Sequence, residues 1–94
     1  MNKNLDRELL ADVAERLINH LQSRTDVQNI DLMNLSGFCR NCLSKWYLAA
    51  AEKRNKPIDY DISRELIYGI PYDEWKKKYQ KEATKEQLKD FNNK

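Results

Sequence analysis

Two cysteines three positions apart, in the run Cys39-Arg40-Asn41-Cys42, are the residues best suited to chemistry. A CxxC pair serves thiol–disulfide exchange when a helix N-terminus stabilises the first thiolate. It serves zinc when both sulfurs reach one tetrahedral ion. The helix that carries the pair decides between these roles. On an unbroken helix both sulfurs fall within an apolar stripe, no free amide stands near Cys39, and the pair reads as two small buried hydrophobes. If Ser36 caps a fresh helix at Gly37, Cys39 enters the first turn and becomes a candidate reactive thiol. Zinc needs two more ligands, and one chain offers only carboxylates and its single histidine, His20; a dimer would bring four sulfurs. Cys39 and Cys42 are thus the candidate metal ligands, and zinc is the one cofactor under consideration.

A second group consists of polar residues inside ordered stretches: Asp26, Asn29, Asp31, Asn34, Arg40, Asn41, Arg64 and Glu65. Asp31 or Glu65 could pair with Arg40, and Arg64 with Glu65 could tie neighbouring helices together. The group reads as a polar network that fixes helix register, with a small-molecule or ion pocket as the alternative. A third group joins Tyr68, Tyr72, Trp75 and Tyr79 to Lys76, Lys77, Lys78, Lys81, Lys85 and Lys89. Interleaved aromatics and lysines suit single-stranded nucleic acid. Here Tyr72, Trp75 and Tyr79 share one helical face, which reads as packing, and Asp73, Glu74, Glu82 and Glu86 would repel phosphates.

The elements that position these groups are helical. Leu5, Leu9, Val13, Leu17 and Leu21, flanked by Leu10, Ala14 and Ile18, form a wide apolar stripe on the first helix. Thr25 and Gln28 have capping-box spacing, and Asp31 is a second candidate start. At about 100° per residue, Leu32, Leu35, Phe38, Cys39, Cys42, Leu43, Trp46, Ala49 and Ala50 share one face, which predicts a long central helix over about 31–54. Its other side carries Met33 and Leu48 among small residues, open to a neighbouring helix. Pro57 follows its end. Asp59 or Asp61 caps the next helix, Gly69 suits its left-handed end, and Pro71 opens another. Thr84 and Gln87 form a further capping box. The expectation is an all-α compact bundle of four to five helices, one domain over 1–94 with residues 92–94 frayed.

Composition narrows the class. The chain has 94 residues, 2 Gly, 2 Pro and 2 Cys, and a net charge of +2 from 17 basic and 15 acidic groups. These figures exclude a collagen-like chain and a disulfide scaffold. No apolar run approaches the roughly 20 residues of a membrane span. No targeting motif is visible, so a cytoplasmic location is expected.

Three blocks resemble a known family: Arg24-Thr25-Asp26-Val27-Gln28-Asn29; Gly37-Phe38-Cys39-Arg40-Asn41-Cys42-Leu43 with Trp46-Tyr47; and Arg64-Glu65-Leu66-Ile67-Tyr68-Gly69-Ile70-Pro71-Tyr72 with Trp75-Lys76. Over roughly residues 8–88 the chain is similar to the short bacterial proteins of Domain of Unknown Function 1244, also called SMc04008-like. That resemblance implies a compact helical protein of this length and carries no activity or site residue with it.

The expected function is a non-enzymatic, self-associating interaction or adaptor module. Its homo-oligomer, a dimer or higher, would use Met33, Leu48, Tyr72, Trp75 and Tyr79, and a further protein partner is left unnamed. The alternatives are a metal or thiol-redox protein built on Cys39 and Cys42, and nucleic-acid binding through the C-terminal lysines.

Overall fold

The computed structural model describes residues 2–93. It contains α1 (Lys3–Ser23), α2 (Asn29–Ser36), α3 (Arg40–Lys53), α4 (Tyr60–Tyr68), α5 (Tyr72–Tyr79) and α6 (Lys85–Asn92), with no strand among the described residues. The all-α class stands, with six helices in place of four or five. Asn93 closes α6 by donating to the Lys89 carbonyl; Lys94, the end of the expected frayed tail, lies outside the described residues.

The long helix expected over 31–54 is two helices. Gly37 sits at φ 80°, ψ 5° and closes α2 by donating to the Met33 carbonyl at 3.0 Å. A residue with a Cβ adopts that conformation only at a cost, so glycine marks the break. Cys39 is extended and α3 begins at Arg40. The apolar face drawn across the break is therefore divided: Leu35 at the end of α2 is 86% exposed, and Trp46 on α3 is exposed and stacks on Phe38 at 5.9 Å.

Helix α4 is the centre of the fold and packs against α1, α3 and α5, while α2 pairs with α6. Its Ile67 and Tyr68 form the core with Trp75 of α5. Ile18, Leu43, Ile70, Tyr72 and Tyr79 pack around them. The α4–α5 corner is sharp because Gly69 takes φ 84°. The Gln22 side chain donates to the Leu66 and Ile67 carbonyls there, capping the end of α4. A Cβ on Gly69 would lie 2.9 Å from that side chain.

The N-terminal part of α1 does not share in this core. Leu5, Leu9, Leu10, Val13 and Leu17 are 41–67% exposed, and the buried member of the stripe is Leu21. The protomer is accordingly long, 48 × 28 × 23 Å, with a radius of gyration of 15.0 Å. No helix among the described residues is long and apolar enough to cross a membrane.

Candidate functional site

Arg40 opens α3 and is 1% exposed. A buried guanidinium requires acceptors for its donors. Its Nη1 donates to the Val27 carbonyl at 2.8 Å and to Asn29 Oδ1 at 3.1 Å. Its Nη2 donates to the Leu21 and Arg24 carbonyls at 3.3 and 2.8 Å. Leu21 and Arg24 lie at the C-terminal end of α1, where the helix dipole favours a cation. The guanidinium also lies 4.9 Å from the centre of the Trp75 ring. Burial pulls the Arg40 pKa below its ordinary value, against the smaller opposing influence of Tyr68, Cys39 and Asp26.

The ion pairs expected of Arg40 do not form. Its four acceptors are carbonyl oxygens of the backbone and of an amide, and no carboxylate among the described residues lies within salt-bridge distance. Asp31 instead accepts from the Gln28 amide at 3.0 Å and from Gln87 Nε2 at 2.8 Å, which joins the start of α2 to α6. Glu65 is exposed on α4. Arg64 bonds Asp61 on its own helix at 2.7 Å and stacks between the rings of Tyr60 and Tyr72, 4.7 and 4.1 Å away.

A second knot adjoins the first. The Tyr68 hydroxyl donates to Asn41 Oδ1 at 2.6 Å and accepts from Asn29 Nδ2 at 3.0 Å. The same Asn29 side chain thus touches both Tyr68 and Arg40. Burial pushes the Tyr68 pKa well above that of a free phenol. Gln28, at the N-cap of α2, donates to the Tyr79 carbonyl at 2.8 Å and accepts from the Lys81 amide at 3.0 Å, holding the α5–α6 link. Asn34 donates to the Gln87 carbonyl at 3.1 Å. Between the knots lies a cleft of about 290 Å³ lined by Gln28, Asn29, Asn41, Tyr72, Gln80 and Lys81, among others.

Of the residues singled out from sequence, Asn29, Arg40 and Asn41 come together with Tyr68, Asp31 and Asn34 meet at Gln87, and Asp26 pairs with Arg24. Arg64 and Glu65 join neither cluster. Gln28 and Tyr68 were not expected in the network. Gln28 was read as partner to Thr25, whereas its own backbone amide is capped by Asp31, three residues on. That Gln28-to-Asp31 spacing was the available signal.

The interface set is also redistributed. Trp75 is 2% exposed in the protomer's own core, and Tyr72 and Tyr79 pack against that core. The aromatic face of α5 is spent inside the molecule and offers no stacking platform beside the lysines. Met33 and Leu48 are half-buried.

Cys39 is the N-cap of α3 and Cys42 stands in its first turn, with their Sγ atoms 3.9 Å apart. Cys39 is 7% exposed and Cys42 is half-buried. The amides of Cys42 and Asn41 face the Cys39 sulfur and favour its thiolate, yet burial outweighs them and the Cys39 pKa is raised. For metal, the pair supplies two of the four ligands that zinc takes. No cluster of three or more His, Cys, Asp or Glu residues placed to hold a metal occurs among the described residues. His20 lies exposed on α1.

No curated protein matches the chain. Residues 27–93, from the loop before α2 to the end of α6, match the family described as Protein of unknown function (DUF1244), with α1 outside the match. The earlier resemblance and this match over most of the sequence agree, and the chain belongs to the DUF1244 family.

Proposed function

We propose that this protein is a non-enzymatic, self-associating helical module in which a second copy covers the apolar face of α1. The single observation that carries this reading is the surface the protomer leaves uncovered. Its accessible surface is 7407 Å², whereas a folded monomer of 11.2 kDa is expected to expose about 5,700 Å². The excess, roughly 1,700 Å², falls within the share that one subunit contributes to an obligate homodimer interface. The radius of gyration points the same way: 15.0 Å against about 12 Å for a compact chain of this length.

The uncovered surface is apolar where α1 projects. Five of the exposed large hydrophobics, Leu5, Leu9, Leu10, Val13 and Leu17, lie on that one helix. Asp6, within the same stripe, has a carboxylate oxygen shielded from solvent and without a hydrogen-bond partner in the protomer. A two-fold interface buries one patch twice, so a second copy covers both stripes. The buried guanidinium and phenol are meanwhile held in structural roles. Arg40 and the Tyr68 hydroxyl are each bonded to fixed partners that join α1, α2, α3 and α4.

Native mass spectrometry and sedimentation of the untagged chain test this. The wild type is expected to run as a dimer at micromolar concentration, and the double variant Leu10→Glu, Val13→Glu as a folded monomer with unchanged helicity. A wild-type monomer, or a dimer that persists in the double variant, refutes the assignment to α1.

A further inference from the structure

We propose that Cys39 and Cys42 form a redox-active dithiol that closes to an intrachain disulfide by exchange with a low-molecular-weight disulfide. The αL turn at Gly37 ends α2 and lets α3 begin afresh, which puts Cys39 at the N-cap and Cys42 three residues later. The two sulfurs are 3.9 Å apart, on neighbouring positions of one helical turn. A disulfide needs about 2.05 Å between sulfurs, so the two Sγ atoms have to close by roughly 2 Å.

The two thiols are unequal, as exchange requires. Cys42 is half-buried and is the one that solvent reaches; Cys39 is buried beneath it. The amides of Asn41 and Cys42 favour a thiolate on Cys39, but burial outweighs them. The difference in exposure gives Cys42 the role of first nucleophile and Cys39 the role of resolving thiol.

With oxidised glutathione as the disulfide, the Cys42 thiol loses its proton to water and the thiolate attacks one glutathione sulfur. The glutathione S–S bond breaks, one glutathione leaves as thiolate, and a mixed disulfide on Cys42 remains. Cys39 then gives up its proton, and its thiolate attacks the Cys42 sulfur and expels the second glutathione. Two protein thiols are oxidised to one disulfide, one glutathione disulfide is reduced to two glutathione thiols, and the protons released match those taken up.

The test uses the full chain, reduced and purified without chelator, equilibrated across a series of reduced-to-oxidised glutathione ratios. It is quenched with acid, alkylated under denaturing conditions and weighed by mass spectrometry. The expected product at oxidising ratios is a monomeric polypeptide lighter by two hydrogens, with neither cysteine alkylated. Cys39→Ser is expected to accumulate the glutathione adduct on Cys42 in most molecules, because the resolving thiol is gone. Cys42→Ser is expected to leave Cys39 unmodified while folded. The wild-type arm does not depend on the folding of either variant. Wild-type protein that stops at a glutathione adduct, that cross-links between chains, that stays fully alkylatable at every ratio, or that carries zinc on both sulfurs overturns the proposal.

Discussion

Two regions of this molecule invert the usual order of burial. Around Arg40, a charge and a phenol are taken out of water with two half-buried amides, and hydrogen bonds join all four groups to fixed partners. Along the outer part of α1, leucines and a valine are left 41–67% exposed to water. The first region joins four helices through directional bonds and fixes how they meet. The second has no role in the protomer's own packing. Stability of the single chain is therefore concentrated near Arg40, and association is assigned to α1. Substitutions in the two regions separate these properties.

The largest effect is expected at Arg40. Arg40→Ala removes the donors of the Val27, Leu21 and Arg24 carbonyls and of the Asn29 side chain, and it empties the space beside Trp75. Orphaned buried acceptors and the lost packing together cost about 3–5 kcal/mol. In a domain of this size that is a large part of total stability. Urea unfolding should show a midpoint shifted far down or no cooperative transition. If Arg40→Ala unfolds within 1 kcal/mol of the wild type, about the cost of an ordinary substitution, the buried guanidinium does not organise the fold.

Tyr68→Phe is next, at about 1–3 kcal/mol, because it leaves Asn41 Oδ1 and Asn29 Nδ2 without their shared hydroxyl. It also has a pH signature. The folded-state pKa of Tyr68 is raised, chiefly by burial, from an ordinary value of 10.0. Above pH 10 the unfolded chain releases a proton that the folded chain keeps, so the unfolded state gains and stability falls as pH rises. Below pH 10 this contribution is fully present. Wild-type stability should drop more steeply than that of Tyr68→Phe as pH passes 10, measured by denaturant titration at several pH values. Parallel slopes would mean that Tyr68 titrates as it does in the unfolded chain.

The glycines show what was legible in the sequence and what was not. Gly69 was readable as a helix end because Pro71 follows and an apolar helix precedes it. The Thr84–Gln87 capping box was readable because both its bonds are local. A break at Ser36-Gly37 was legible only as an alternative, because the apolar spacing from Leu32 to Ala50 continues across Gly37 as though the helix were unbroken. Periodicity reports which side chains are apolar, and it does not register an αL residue between two helices. Arg40 and Asn41 were recognisable as network members, but their partnerships were not. Three of the four acceptors of Arg40 are backbone carbonyls, which every residue carries and no sequence distinguishes. The stripe on α1 was the clearest pattern of all, yet it said only that the face is apolar, not whether this chain or another covers it.

Those two glycines also give a graded prediction. Both have positive φ, which costs a residue with a Cβ about 1–2 kcal/mol. At Gly37 an added Cβ meets nothing within 4 Å, so Gly37→Ala should cost that strain alone. At Gly69 it meets Gln22 at 2.9 Å and disturbs the side chain that caps α4. Gly69→Ala should cost about 1 kcal/mol more, the worth of a typical hydrogen bond. Equal losses in thermal unfolding would show that Gln22 swings aside freely and contributes little to the corner.

The smallest expected effect is the most discriminating for the α1 assignment. Val13→Ser changes an exposed side chain that the protomer does not pack. In dilute solution, where single chains are compared, unfolding should differ from wild type by no more than about 0.5 kcal/mol. At concentrations where the wild type pairs, the same substitution removes apolar area from the proposed contact, so dissociation should become measurably easier. The difference between the variants should then grow with protein concentration, since stability gained from a partner follows mass action. Arg40→Ala should show the opposite pattern, with its deficit already present in the single chain. If Val13→Ser is costly at every concentration, α1 is held by its own protomer and the uncovered surface lies elsewhere. If it is silent at every concentration, the second copy sits on another face.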